Sequence, residues 1–160
     1  MWQSEVSIDI DAPVSEVYRY LADFPRHRDW AYARMAYLKQ VTPGPIQVGT
    51  EFDAAETLPF KAVTHSRITA LEPLSRIAWH AWFSKGSAFD WEFLLSERDG
   101  GTHLVQRTAW RTATLFRVLT WPLVVQRRRQ MPVENRYSLE RIKANLEKGV
   151  LAPASEAGLR

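Results

Sequence analysis

Six polar side chains stand at positions whose near neighbours are apolar, and with these the chain could do chemistry. Between Glu51 and Leu58, strand alternation puts Glu56 on the same side as Phe52, Ala54 and Leu58. In the next run Thr64 and Ser66 share a side with Ala62 and Ile68. Further on, Leu104 and Trp110 bring Gln106 and Thr108 to their side. Asn135 lies one helical turn before Leu139. A carboxylate held among apolar groups has its pKa raised by desolvation, which is how a general acid or base is prepared. Glu56 is therefore the candidate catalytic group. At a cavity mouth, or beside an arginine, the same residue would be an ordinary carboxylate, and the pattern leaves both readings open.

The expected walls around these groups are aromatic. Ile77, Trp79, Ala81 and Phe83 share one face of a strand, and Phe89, Trp91, Phe93 and Leu95 share one face of the next. Mostly apolar walls with a few hydrogen-bonding groups are the usual composition of a small-molecule site. The candidate ligand-binding set is Trp30, Phe52, Glu56, Thr64, Ser66, Trp79, Phe89, Trp91, Gln106, Thr108, Trp110, Asn135 and Leu139. Core packing accounts equally for Trp91 and Trp110. Trp82 points outward on its strand and is expected under the N-terminal helices or at an interface.

Other chemistries lack their residues. His27, His65, His80 and His103 show no metal-ligand spacing, and the chain has no cysteine, so no metal site is expected. Gly-x-Gly-x-x-Gly, phosphate-loop and Gly-x-Ser-x-Gly sequences are absent, so neither a nucleotide cofactor nor a serine nucleophile is indicated. No cofactor is expected. Inward-facing aromatics argue against a single-strand nucleic-acid surface, which would need them outside.

These groups need a scaffold, and the periodicities describe one. Val6, Ile8 and Ile10 alternate with polar residues as in a half-buried strand. Ala12-Pro13 ends that strand, and Pro13 or Ser15 opens a helix with Val14, Val17, Tyr18 and Leu21 on one face. Phe24-Pro25 stops it, and Arg26 to Trp30 reads as a second short helix or turn. From residue 35 to residue 112, turn residues divide the chain into six strands with short connections. Asp99-Gly100-Gly101 is the strongest hairpin signal, because tight primed turns need positive φ. After Trp110 the period becomes 3.6, with Leu139, Ile142 and Leu146 on one face up to Gly149. Pro132 either ends a first helix, over about 115–129, or kinks a single one.

Length and composition fit this scaffold. The chain has 160 residues, 46% hydrophobic and 24% charged, as in an ordinary globular protein. One domain over residues 1–149 is expected, followed by a disordered tail at 150–160. The absence of cysteine and of a secretion signal points to the cytoplasm. The net charge of +3 is uneven: Arg107 to Lys148 carries +7 and the remainder −4. The most apolar stretch, Ala113 to Val125, is interrupted by Arg117 and Pro122 and is too short to span a bilayer, which takes about 20 residues. With Arg127-Arg128-Arg129 behind it, residues 115–129 have the character of a weak peripheral membrane contact. Docking on the sheet is the alternative reading.

In order and spacing, the passage Ile8-Asp-Ile-Asp-Ala-Pro-Val-Ser-Glu-Val-Tyr18, then Leu21-Ala-Asp-Phe24 and Trp30, resembles the opening of the polyketide cyclase/dehydrase branch of the START-like, or birch-pollen-allergen-like, superfamily. Glu72-Pro73 through Arg76-Ile-Ala-Trp79, Asp99-Gly-Gly-Thr102, and Leu139, Ile142-Lys143 and Leu146-Glu147 extend the resemblance over residues 4 to 148. It implies an α+β helix-grip fold: a curved seven-stranded antiparallel sheet around a long C-terminal helix, with two short helices after the first strand and an apolar cavity between sheet and helix. The expected function is binding of a hydrophobic small molecule of lipid, polyketide or isoprenoid type, by a monomer or homodimer. The resemblance also admits a cyclase/aromatase that closes a poly-β-ketone chain by aldol cyclisation and dehydration, or a membrane-associated quinone or lipid carrier.

Overall fold

A computed structural model describes residues 2–32, 35–56, 62–83, 87–112 and 121–148. Strand β1 (Trp2–Ile10) leads into helix α1 (Val14–Ala22), a single 3-10 turn (Phe24–Arg26) and the one-turn helix α2 (His27–Trp30). Six strands follow: β2 (Met35–Gln40), β3 (Glu51–Glu56), β4 (Ala62–Glu72), β5 (Arg76–Phe83), β6 (Ser87–Arg98) and β7 (Gly101–Thr112). Helix α3 (Trp121–Glu147) closes the fold. All strand pairs are antiparallel, in the order β1-β7-β6-β5-β4-β3-β2, so a meander is completed by pairing the first strand with the last. This is the expected helix-grip arrangement.

Strand alternation carries over into the observed faces. Thr102, Leu104, Gln106, Thr108 and Trp110 of β7 are buried, as are Ile77, Trp79 and Ala81 of β5, Phe89, Phe93 and Leu95 of β6, and Phe52 and Ala54 of β3. Their concave face meets Val124, Met131, Asn135, Ser138, Leu139, Ile142 and Leu146, which recur along one side of α3. Pro132 lies inside this helix, which fits the single-helix reading; its ring nitrogen has no hydrogen to give to the ladder. The segment 113–120, Gly149 and the tail 150–160 fall outside the described residues.

The end of α3 is tied to the β1–α1 junction. Lys143 Nζ donates to the Asp9 carbonyl (2.5 Å), the Asp11 N–H donates to Glu147 Oε1 (2.9 Å), and Asn145 Nδ2 donates to the Tyr20 hydroxyl (2.8 Å). The short helices are thereby held across one end of the sheet. The outer face is held by charge: Glu5, Arg107, Glu92, Arg76 and Glu72 form a ladder of ion pairs from β1 to β4. Trp82 belongs to this outer face. It lies between the rings of His65 (5.8 Å) and His80 (5.6 Å), not beneath the N-terminal helices, because strand register makes His65 its neighbour on β4.

The β6–β7 turn separates two uses of glycine. Asp99 (φ 51°) and Gly100 (φ 83°) supply the positive angles of a two-residue turn. Gly101 has no such angle; it is needed because a Cβ there would lie 2.5 Å from the Ile10 carbonyl oxygen. Gly101→Ala must push the end of β7 away from β1 and is expected to destabilise by about 1–3 kcal/mol. Urea unfolding checks this, and a midpoint equal to wild type would show that the strand ends separate freely.

Candidate functional site

Between the sheet and α3 lies a cavity of about 130 Å³. The sheet supplies Ala54, Thr64, Ser66, Trp79, Ala81, Trp91 and Gln106. The N-terminal helices supply Phe24, His27 and Trp30. Arg127, Glu134, Asn135 and Ser138 come from α3. Each group is in place for a local reason: alternate residues of a strand face one side, and positions three, four and seven apart on a helix share a face.

Of the expected ligand-binding residues, Trp30, Thr64, Ser66, Trp79, Trp91, Gln106 and Asn135 come together here. Phe52, Phe89, Thr108, Trp110 and Leu139 are buried but, among the described residues, stand behind or beyond the cavity wall. Phe52 stacks under Phe24 (5.3 Å), and Thr108 accepts a hydrogen bond from Asn135 Nδ2 (3.0 Å). Phe89 and Trp110 stack on each other (5.7 Å) in a second cluster with Val124 and Met131, where Trp110 Nε1 donates to Ser87 Oγ (2.8 Å). Glu56 is the last residue of β3, and its side chain lies outside the described residues.

The walls form one continuous aromatic network. Trp79 stacks in parallel with Trp91 (6.0 Å, 7°) and meets Phe24, His27 and Phe93 at 5.8, 5.4 and 5.6 Å. Trp30 packs on His27 (4.0 Å) and on Phe93 (5.5 Å). At the edge, Tyr32 meets Tyr137 of α3 edge to face (5.6 Å).

His27 did not stand out in the sequence, yet it is the histidine of the cavity. Burial pushes its imidazole down to about 4 from 6.5, so at neutral pH the wall it forms is uncharged. The other three histidines accompany aspartates on β-strands: His65 with Asp53, His80 with Asp90 and His103 with Asp9. Arg127 and Glu134, also unanticipated, bind each other at 2.5 Å along the cavity edge. Opposite charges seven residues apart on one helix face are the signal that could have found them.

Three buried polar atoms of the lining have no hydrogen-bond partner among the described residues: Trp30 Nε1, Thr64 Oγ1 and Gln106 Oε1. Buried polar groups are ordinarily paired, so three unpaired ones on residues of one cavity set this region apart. A larger hollow, about 840 Å³, opens on the outer face among the ion pairs of Glu5, Arg76, Glu92 and Arg107. Its charges already have partners. Among the described residues there is no group of three side chains able to hold a metal ion. No described helix is long and apolar enough to cross a membrane. Of the segment 115–129, the described part begins at Trp121, which is 52% exposed with Arg128 over its ring.

Over residues 1–147 the sequence matches the family described as polyketide cyclase/dehydrase and lipid transport. The chain belongs to this family. Solved structures agree on the fold of a polyketide cyclase/dehydrase family member. The di-domain ARO/CYC StfQ of the steffimycin biosynthetic pathway superposes with a TM-score of 0.73 at 16% identity, over 91% of this chain and 51% of that one. The di-domain ARO/CYC BexL of the BE-7585A pathway gives 0.71 at 20% identity, over 95% and 48%. The chain thus spans about half the length of each di-domain protein. TTHA0849 from Thermus thermophilus gives 0.67 at 20% identity, over 89% of this chain and 98% of that one. No curated protein sequence matches the chain. With this family's helix-grip fold, the sheet and α3 enclose the cavity where the resemblance implied it.

Proposed function

We propose that this member of the polyketide cyclase/dehydrase family binds a hydrophobic small molecule in the cavity between sheet and α3. The observation that carries the reading is the composition of the lining: indole walls, unpartnered buried polar atoms, and charges compensated within the wall itself. Binding suits this lining better than turnover. An acid or base working near neutrality needs a pKa near 7, whereas burial holds His27 at about 4 and Glu134 is committed to Arg127.

The family description and the two ARO/CYC structures support a second reading, in which the cavity orients a reactive chain for cyclisation and dehydration. Native mass spectrometry of freshly purified protein separates the two. A stoichiometric apolar passenger, released and identified on denaturation, is the expected result for a binder. Protein free of any passenger, with wild type turning over a polyketide substrate that Glu56→Gln leaves untouched, would replace the binding reading with the enzymatic one.

A further inference from the structure

We infer that the cavity is fitted to a neutral molecule with a single aromatic ring, bearing at least one hydroxyl donor and one oxygen acceptor. The inference rests on the cavity-binding reading and narrows it, and three independent features lead to it. The first is size. An apolar cavity of about 150 Å³ holds one benzene molecule, and the space here is about 130 Å³. A fused-ring or long-chain ligand needs more room than one ring, and pockets for drug-sized molecules start at about 300 Å³.

The second feature is the hydrogen-bonding character of the unpartnered atoms. Gln106 Oε1 only accepts, so it calls for an O–H or N–H on the ligand. Trp30 Nε1 only donates, so it calls for an oxygen. The Thr64 hydroxyl can serve either. All three residues are more than nine-tenths buried and border the same space. The three atoms are closed off from the space as it stands, so a ligand reaches the Gln106 oxygen by rotation about its soft terminal torsion and the Thr64 hydroxyl by rotation about χ1. Asn135 is held in place by Thr108 and braces this polar end from α3.

The third feature is charge. The ionised groups on the described lining, Arg127 and Glu134, neutralise each other. A carboxylate or ammonium ligand would surrender its hydration without finding an uncommitted counter-charge, which is costly in a buried site.

Calorimetric titration with matched probes tests the inference. 4-Hydroxybenzaldehyde, a single ring with one hydroxyl and one carbonyl oxygen, is the probe of the inferred class, and 4-methylbenzaldehyde replaces its hydroxyl with a group of similar size. The hydroxyl compound is expected to bind about 10–100-fold tighter, the range set by leaving a buried acceptor unpaired. Gln106→Leu should abolish that preference, the hydroxyl compound losing at least about tenfold in affinity relative to the methyl compound. Thr64→Val, an isosteric change, serves as the second variant should Gln106→Leu fold poorly, and should shrink the preference. 2-Naphthol and dodecanoate should bind more weakly than the hydroxyl probe. Equal affinity for the hydroxyl and methyl compounds, or preference for the two-ring or chain probe, overturns the inference while leaving the cavity-binding reading intact. Failure of every probe to bind protein from which any passenger has been removed overturns both.

Discussion

Trp79→Ala is expected to lower stability by about 3–5 kcal/mol, the usual range for removing a buried tryptophan from a core. For a chain of this length that corresponds to a fall in Tm of roughly 6–20 °C. Trp79 is only 7% exposed, and its ring touches those of Phe24, His27, Trp91 and Phe93. It is therefore where the sheet, the 3-10 turn and α2 meet. Because the indole already borders a cavity, its loss enlarges that space and removes the partner that holds Phe24 and His27 against the sheet. The variant should accordingly bind the two-ring probe more tightly than wild type does. Denaturant unfolding and titration with 2-naphthol read the two effects separately. A loss below about 1 kcal/mol would mean that the N-terminal helices are held by the α3 tethers at Asp9, Asp11 and Tyr20 instead.

The scaffold was more legible in the sequence than the lining. Alternation identified the buried face of β7 correctly, including polar Gln106 and Thr108, because a period of two admits only two choices and Leu104 and Trp110 decide between them. Alternation gives the side but not the position along it. Phe89 and Trp110 share the inner face of the sheet with Trp79 and Trp91, but they pack against Val124 and Met131 of α3 beyond the cavity, a distinction set by where the helix crosses the sheet. The passage from Phe24 to Tyr32 was the least readable. Its elements are a single 3-10 turn and four residues of helix, too short for any periodicity to assign a face. His27 sits there between two arginines, in what reads as a solvated cluster, and becomes part of the cavity wall only when the turn at Pro25 lays it on Trp79. Trp82 needed the strand register only in part: alternation puts His80 on its face two residues earlier, whereas His65 becomes its neighbour through the pairing of β4 with β5.

His27 gives the protein a stability signature in a pH range where the other shifted groups are silent. Its pKa is about 4 in the folded protein and 6.5 when exposed, so between these values the unfolded chain binds a proton that the folded one refuses. Stability is then complete above pH 6.5, falls as the pH drops toward 4 and levels off below. His27 is only partly buried, so the contribution over the window is about 1–3 kcal/mol. The carboxylates with lowered pKa act elsewhere: Asp9 hydrogen-bonded to His103, Asp90 hydrogen-bonded to His80 and Arg111, and Glu147 hydrogen-bonded to the Asp11 N–H. Their contribution is present above 3.8 for the two aspartates and above 4.5 for Glu147, and is lost as the pH falls through their still lower folded values. His27→Phe, which keeps a ring against Trp30 and Trp79, should therefore flatten the stability profile between about pH 6.5 and 4.5 and leave the steeper acid fall below it. A wild-type profile already flat across that range would mean that His27 accepts a proton in the folded state. The cavity would then carry a positive charge on its wall in mild acid, and a ligand with an anionic group would be favoured there over the neutral one inferred above.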